Sequence, residues 1–262
     1  MDVGVDAGAW WKPSPPRIRK DTIMNLSDHR VVVLGGTSGI GLATAIRAAR
    51  EGAQIVVASR TRRSVDSALA TLPTGVQGHV VDLTNPGDVA RLFQSLGPFD
   101  HLVYTAGEPL VLMSVDALDL AAARTAFDLR YFGALSAVNA ALPYLRSGGS
   151  ITLTTGTAHH RPKAGWSVVS SITGAIDALV RALAVELAPI RVNAVSAGVI
   201  RSPLWDSLSE ETREQMYAHL SESLPLRRVG EPEEVAETFL YLLRATYATG
   251  TVVTIDGGTL VS

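Results

Sequence analysis

Short runs of apolar, mostly β-branched residues alternate along the chain with longer segments in which apolar residues recur every three or four positions. The first pattern indicates strands buried on both faces, and the second indicates helices with one apolar face. Strands are predicted at residues 30–34, 54–58, 78–81, 101–104, 150–154, 191–195 and 251–255. Helices are predicted at residues 41–51, 64–71, 86–96, 119–144 with an internal break, 167–187 and 231–243.

Alternating strands and helices are typical of an α/β domain in which helices cover both faces of a parallel sheet. The pattern therefore predicts a single doubly wound parallel sheet of about seven strands, in one domain spanning residues 26–262. Residues 1–25 are rich in proline and lack periodicity, which predicts an N-terminal tail. Ligands bind such sheets at the carboxyl ends of the strands, so functional residues are expected in the loops that follow them.

Composition narrows the function classes. Of the 262 residues, 47% are hydrophobic, which is enough for a sizeable core, and the net charge of −2 offers no basic field for a nucleic acid. The absence of cysteine excludes a disulfide framework, thiol catalysis and cysteine-ligated metals, and no metal site is expected. Neither a secretory leader nor a run of 18 apolar residues is evident, so a cytoplasmic protein without membrane contact is expected.

A glycine-rich turn, Gly-Gly-Thr-Ser-Gly-Ile-Gly, joins the first predicted strand to the first predicted helix. Glycines allow the backbone to turn sharply and to approach a pyrophosphate closely, and the helix N-terminus offers free N–H groups to it. An ordinary glycine-rich turn is the alternative, but the strand–turn–helix context favours a dinucleotide site. Phosphate contacts are predicted from Gly35, Thr37, Ser38, Gly39, Ile40 and Gly41.

The G-x-x-x-G-x-G spacing of this turn resembles that of the short-chain dehydrogenase/reductase family. Later segments carry the same resemblance, which extends over residues 28–262: RALAVELAP at 181–189, RVNAVSAG at 191–198 and IDGG at 255–258. The resemblance implies a Rossmann fold, an oxidoreductase, a homodimer or homotetramer, and a variable substrate lid at residues 203–228. It also implies further cofactor contacts from Asp82, Leu83, Thr105, Ala106, Gly107, Thr173, Gly198, Ile200 and Ser202.

The residues after the second predicted strand bear on the choice of cofactor. NAD-preferring sites usually place an acidic residue here to bind the ribose 2′-hydroxyl, and this chain has Ser59 followed by Arg60. An arginine binds a 2′-phosphate with paired hydrogen bonds, whereas a carboxylate repels it. NADP(H) is therefore predicted as the cofactor, the alternative being that the arginines only solvate a loop.

The family's catalytic residues are not found at the corresponding positions. Counting back from RALAVELAP places Val169 at the family's Tyr, Thr173 at its Lys and Gly156 at its Ser, and Arg130 takes the place of its Asn. No tyrosine lies between residues 145 and 216, and Lys163 is the only lysine of the predicted domain. The usual carbonyl and alcohol chemistry therefore lacks its proton donor and the cation that tunes it.

This loss favours a substrate that needs hydride without a coupled proton, such as an iminium or another pre-activated double bond. Candidate catalytic residues are Arg130, which can hold a carbonyl or anionic oxygen, and Thr155, which offers a hydroxyl. The alternatives are structural: an ion pair of Arg130 with a residue such as Asp128, and capping of the strand end by Thr155. The histidines at 159 and 160 are a further candidate proton donor, against the simpler interpretation of a solvent-exposed pair.

The predicted pocket suits a bulky, apolar small molecule, and its lining residues are predicted to be Thr157, Trp166, Val169, Leu204 and Trp205. The leading interpretation is an NADP(H)-dependent oxidoreductase of specialised metabolism with a non-standard active site. Some fungal alkaloid-pathway members of the family that this sequence resembles guide a cyclisation after reduction. The resemblance therefore implies a bifunctional reductase/cyclase as an alternative. Two further interpretations are a non-redox enzyme and a non-catalytic NADP(H)-binding protein, because the fold alone does not fix the function.

Overall fold

The computed structural model describes residues 25–110 and 112–262, so the predicted tail lies almost wholly outside the described part. Seven strands are present: β1 (Arg30–Leu34), β2 (Gln54–Ser59), β3 (Gln77–Val80), β4 (Phe99–Tyr104), β5 (Leu145–Gly156), β6 (Arg191–Ala197) and β7 (Val252–Ile255). Eight α-helices are described: α1 (Gly39–Arg50), α2 (Arg62–Leu69), α3 (Pro86–Leu96), α4 (Leu120–Phe127), α5 (Ala134–Ala141), α6 (Ser167–Glu186), α7 (Glu210–Ser223) and α8 (Pro232–Arg244).

The strands form one parallel sheet in the order β3-β2-β1-β4-β5-β6-β7. This order confirms the predicted doubly wound α/β fold. The chain reverses direction across the sheet between β1 and β4, which is where such folds open a crevice for ligands at the strand carboxyl ends.

Strand β1 shows why the predicted strands lack polar alternation. Its side chains point alternately to the two faces. Val32 and Leu34 pack in the core formed with α3, α5 and α6, whereas Val31 and Val33 pack in the core formed with α1 and α8. Because helices cover both faces, all four side chains are fully buried.

The structure differs from the sequence-based expectation in β5 and α7, and it shows the form of the predicted helix break. Strand β5 has twelve residues, where five were predicted, and its pairing with β4 shifts register between Phe99 and His101. The predicted break in the 119–144 helix is a π-helical turn at Asp128–Gly133. Helix α7 lies in the predicted lid and was not predicted, because only Tyr217 of its residues is buried and the apolar periodicity is weak.

Helix α6 is, within the described part of the chain, the one helix long and apolar enough to cross a membrane by length and composition alone. It packs against β5 and β6 and contributes Ile176, Val180 and Leu183 to the core. Its hydrophobicity is thus the expected property of a helix that covers a parallel sheet.

A chain of polar side chains crosses the sheet near the amino ends of its strands. His29 Nδ1 lies 2.9 Å from His101 Nε2, and His101 Nδ1 lies 2.8 Å from the Ser150 hydroxyl. Burial, together with the nearby His29 and Arg191 side chains, lowers the pKa of His101 to about 3. The folded protein therefore holds His101 neutral throughout the mildly acidic range.

We predict that His101 makes the protein less stable as the pH falls below about 6.5. Below this pH the unfolded chain binds a proton at His101, whereas the folded protein keeps the residue neutral. The free energy of unfolding therefore falls by about 1.4 kcal/mol per pH unit until the pH reaches the pKa of the folded state. Unfolding free energies measured by urea titration between pH 7 and pH 5 should show a slope that is shallower by about one proton in His101→Gln. The control, the exposed His219→Gln, should keep the wild-type slope, and an unchanged slope in His101→Gln would refute the prediction.

Candidate active site

A cavity of about 450 Å³ opens at the carboxyl ends of the strands, next to the reversal between β1 and β4. Every residue predicted to contact the cofactor or the substrate lines this cavity, and so do both candidate catalytic residues. The set comprises Gly35, Thr37, Ser38, Gly39, Ile40, Gly41, Ser59, Arg60, Asp82, Leu83, Thr105, Ala106, Gly107, Arg130, Thr155, Thr157, Trp166, Val169, Thr173, Gly198, Ile200, Ser202, Leu204 and Trp205. The fold therefore brings together residues that lie up to 170 positions apart.

The glycine-rich turn is packed directly against the turn that follows β4. Gly35 has a φ of +87°, and a Cβ placed there would lie 2.5 Å from the backbone nitrogen of Ala106. A Cβ at Gly41 would lie 2.3 Å from both the Gly35 carbonyl oxygen and the Thr105 hydroxyl oxygen. Only glycine fits these two positions, because the neighbouring atoms belong to backbone or to a hydrogen-bonded side chain.

Thr105 braces this turn from the neighbouring strand. Its backbone N–H donates to the Leu34 carbonyl at 2.8 Å, and its hydroxyl lies 3.2 Å from the Leu34 and Gly35 carbonyl oxygens. Ser38 precedes α1 with an extended backbone, and its side chain does not cap the helix. Since the first turn of α1 carries no acidic residue, this end of the cavity offers unscreened N–H groups to an anion.

The end of β2 supplies a cation to the described lining of the cavity. Ser59 is half-buried and Arg60 is exposed, and Arg60 makes no ion pair with any of the described residues. Asp82 faces the same region, and hydrogen bonds from the hydroxyl and backbone N–H of Thr84, at 2.7 and 2.9 Å, lower the pKa of this carboxyl group. The position of Arg60 is thus compatible with binding of a ligand phosphate, as its predicted role requires.

The central wall of the cavity is formed by β5 and α6. Gly156, Val169 and Thr173 all lie on this wall, and a Cβ at Gly156 would be 3.6 Å from the Thr173 methyl carbon. The Thr155 hydroxyl donates to the Thr173 carbonyl at 3.1 Å, and the Thr173 hydroxyl donates to the Ser170 carbonyl at 3.1 Å. Both hydroxyl protons are therefore engaged by backbone, so Thr155 has no proton free for a substrate in this conformation.

Arg130 lies on the π-helical turn, and its side chain extends across the cavity entrance to the loop after β4. Its guanidinium donates to the Glu108 carbonyl oxygen, lies 3.8 Å from the Glu108 carboxylate through Nε, and covers Gly107. The ion pair of the structural alternative is therefore present, with Glu108 and not Asp128 as the partner. Burial lowers the pKa of Arg130, while the charge of Glu108 opposes this shift.

Tyr104 is a buried residue of the cavity lining that was not predicted. Its hydroxyl donates to the Leu129 carbonyl at 2.6 Å, which anchors the π-helical turn that carries Arg130. A Cβ at Gly133 would lie 2.7 Å from this hydroxyl, so the position of Tyr104 requires glycine at residue 133. Burial raises the pKa of Tyr104, and the phenol stays protonated and committed to Leu129.

The predicted lid encloses the cavity with apolar side chains. Trp205 packs with Tyr217, and its indole N–H donates to the Ile200 carbonyl at 3.1 Å. The backbone N–H of Leu110, in the loop after β4, donates to the Leu204 carbonyl at 2.9 Å and so joins the lid to that loop. Leu110 also lines the cavity and was not predicted, since no motif marks that loop.

Trp166 and the two histidines lie at opposite ends of the segment that joins β5 to α6. Trp166 lines the cavity, with the Lys163 ammonium 5.6 Å from its ring centre. His159 and His160 do not line the cavity and instead approach the buried Asp177 on α6. They are therefore not placed to supply a proton to a bound substrate.

Comparison with known proteins assigns the family. A family model described as enoyl-(acyl carrier protein) reductase matches residues 35–259. The short-chain dehydrogenase/reductase ATR9 of Stachybotrys chlorohalonatus is 36% identical over 243 residues, which cover 87% of this chain and 95% of the relative. This chain belongs to the short-chain dehydrogenase/reductase family. The turn spacing and the segments RALAVELAP, RVNAVSAG and IDGG indicated the family from the sequence alone.

Two solved structures of short-chain dehydrogenases and reductases resemble this fold closely. A small-chain dehydrogenase in complex with NADPH has a TM-score of 0.77 and 33% identity, and the match covers 90% of this chain and all of the other. The MalC reductase/Diels-Alderase from Malbranchea aurantiaca has a TM-score of 0.84 and 26% identity, with 90% and 98% covered.

We predict that Gly41→Ala destabilises this short-chain dehydrogenase/reductase by about 1–3 kcal/mol, because the new methyl group overlaps the Gly35 carbonyl and the Thr105 hydroxyl. Urea unfolding of wild type and variant measures the difference. Gly174→Ala is the matched control, since its Cβ would find only ordinary contacts, 3.6 Å from His159, within a helix. It should be neutral or mildly stabilising. Equal unfolding midpoints for Gly41→Ala and wild type would contradict the prediction.

Proposed function

We propose that this protein is an NADP(H)-dependent oxidoreductase of specialised metabolism that reduces an iminium or another pre-activated double bond. The observation that carries the proposal is the central wall of the cavity. Gly156, Val169 and Thr173 stand there, and none of them has an ionisable side chain. We infer that the chain lacks the family's Ser, Tyr and Lys, and with them its proton relay.

The residues at the other end of the cavity fit NADP(H). Gly35 and Gly41 leave a cradle that any Cβ would fill, next to the unscreened N-terminus of α1. Arg60 has no ionic partner among the described residues and suits a 2′-phosphate. The complex of the 33% identical dehydrogenase with NADPH supports the same cofactor. When bound, NADPH supplies a hydride, that is, two electrons and one hydrogen nucleus.

The proton balance of the reaction selects the substrate class. A ketone that accepts a hydride becomes an alkoxide and needs a proton from a nearby acid. Tyr104, the one tyrosine in the described lining of the cavity, is committed to Leu129, and burial keeps its phenol protonated. An iminium carbon that accepts a hydride gives a neutral amine directly, so the proton relay is not needed.

Arg130 is proposed to orient the substrate by donating hydrogen bonds to a carbonyl or anionic oxygen of the substrate at the cavity entrance. Glu108 holds the guanidinium in place for this role. Thr155 keeps its lone pairs as acceptors, while its proton stabilises Thr173. Thr157 is the better hydroxyl donor, because its side chain forms no hydrogen bond with the described residues.

A reductase that also guides a cyclisation is the second candidate. The likeness to the MalC reductase/Diels-Alderase, with a TM-score of 0.84, favours it. Trp166, Leu204 and Trp205 give the cavity bulky apolar walls, which suit folding of an extended apolar substrate. We also propose a cytoplasmic homodimer or homotetramer, on the resemblance to the family.

We predict that Arg60→Glu weakens NADPH binding by about tenfold or more and leaves NADH binding within about twofold. The change removes a charge-assisted contact to the 2′-phosphate and places a like charge there. Calorimetric titration with both cofactors measures the effect. Arg63→Glu is the control, since Arg63 is exposed on α2 and does not line the cavity. Equal losses for the two cofactors would disprove the role of Arg60.

We predict that the wild-type protein with NADPH reduces a cyclic iminium, such as an N-alkyl dihydroisoquinolinium, and does not reduce simple ketones. The triple variant Gly156→Ser, Val169→Tyr, Thr173→Lys should gain ketone reduction, because it restores the acid and the cation that tunes it. Absorbance at the reduced-nicotinamide band follows both reactions.

The matched control carries Val169→Phe in place of Val169→Tyr, which keeps the ring and removes the hydroxyl. It should not gain ketone reduction. Efficient ketone reduction by the wild type would overturn the proposed substrate class. Cofactor binding without turnover of any iminium would favour a non-redox enzyme or a non-catalytic binding protein.

A further inference from the structure

Three side chains of types that can bind a metal ion lie close together behind the central wall, outside the cavity. His159 and His160 end the short 3-10 turn after β5, and Asp177 projects from α6 towards them. His159 Nε2 lies 3.1 Å and His160 Nε2 lies 4.0 Å from Asp177 Oδ2, and the ligand atoms of all three residues lie within 4.8 Å of one another.

The cluster leaves polar atoms unsatisfied that a protein normally pairs. Asp177 is only 4% exposed, and its Oδ1 has no hydrogen-bond partner among the described residues. His159 Nδ1 is likewise buried without a partner there. An unpaired carboxylate oxygen at this depth is costly, so the arrangement calls for a further positive group or a hydrogen-bond donor at Asp177.

Neighbouring cations of the same loop do not supply that group. The Arg161 guanidinium points to the C-terminus, where it donates to the Thr259 carbonyl and lies 3.1 Å from the Ser262 hydroxyl. The Lys163 ammonium lies over Trp166. Asp177 therefore has only the two imidazoles facing it from this loop.

The distances match those required by a small transition-metal ion. Ligands bound tetrahedrally at about 2.0–2.1 Å lie about 3.3–3.4 Å from one another. The spacings of 3.1 and 4.0 Å to Asp177 Oδ2 bracket this value, and no two of the ligand atoms lie more than 4.8 Å apart, so side-chain rotations can bring all three to a common ion. Two imidazole nitrogens and one carboxylate oxygen suit Zn²⁺, with water in the fourth position because His160 is half-exposed.

We propose that His159, His160 and Asp177 form a binding site for a divalent transition-metal ion of the Zn²⁺ type. The ion links the turn after β5 to α6, because its ligands come from both elements. Thr157 and Thr173, which line the cavity wall, lie two residues before His159 and four before Asp177 on the same two elements. The site thus stabilises the wall from behind, without contact with the substrate cavity, and it departs from the sequence-based expectation of no metal site.

The test is calorimetric titration of the untagged, EDTA-treated full chain with Zn²⁺, together with Co²⁺ as a spectroscopic probe. We expect one ion per chain, a visible d–d band for Co²⁺, and a melting temperature that rises with Zn²⁺ concentration by mass action. His160→Ala is the decisive variant, because His160 is half-exposed and its loss leaves the contact between His159 and Asp177 in place. It should weaken Zn²⁺ binding at least about tenfold.

Asp177→Asn should weaken binding similarly, whereas His219→Ala, on the exposed face of α7, should bind Zn²⁺ as the wild type does. Absence of stoichiometric binding to the wild-type chain would overturn the proposal. So would wild-type affinity in both His160→Ala and Asp177→Asn, which would leave His159 and Asp177 as a simple hydrogen-bonded pair.

Discussion

The binding edge of this protein depends on the close approach between the turns that follow β1 and β4. Gly35 and Ala106 pack backbone to backbone, and Thr105 ties the glycine-rich turn to its neighbour through two carbonyl oxygens. A single methyl group at Gly35 or Gly41 would separate these elements. The contact holds the N-terminus of α1 at the crevice, and the cavity for a dinucleotide follows from it.

In the cavity next to these turns, the hydroxyl groups of three lining residues are bonded to the backbone. Reduction of a ketone would instead need a hydroxyl proton that is free to move to the substrate. Thr155, Thr173 and Tyr104 each donate their hydroxyl proton to a backbone carbonyl oxygen. These bonds order the wall and the π-helical turn, and they leave the hydroxyls unavailable as acids. A site of this kind is better suited to orienting a substrate than to transferring protons, as the proposed reduction of a pre-activated bond requires.

Two charged side chains that are largely buried in this fold are paired with residues from other segments of the chain. Arg130 meets Glu108 across the cavity mouth, and Asp177 meets two histidines behind the wall. Burial of an ionised group is expensive unless a partner or an ion compensates it, so such pairs mark positions where the fold is held together electrostatically. In Asp177 the compensation by the described side chains is incomplete, and this incompleteness distinguishes the cluster from an ordinary ion pair.

The strands, most helices and the glycine-rich turn could be predicted from the sequence, because each depends on local periodicity or on the backbone freedom of a few adjacent residues. Residues 31–34 of strand β1 are all apolar since both faces of the strand are covered, and the turn after it needs glycine at Gly35 and Gly41, where no Cβ fits. Many of the predicted lining residues stand just after a predicted strand, Val169 and Thr173 were located by counting back from RALAVELAP, and Leu204 and Trp205 lie in the predicted lid.

Helix α7, the π-helical turn and the register shift in β5 needed the tertiary structure, because none of them has a strong local pattern. The partners of Arg130, Tyr104, Thr155 and Asp177 needed it as well. Sequence determined which side chains are present at the strand ends. Which of their hydrogen atoms and charges remain free was decided only when packing set the distances between elements.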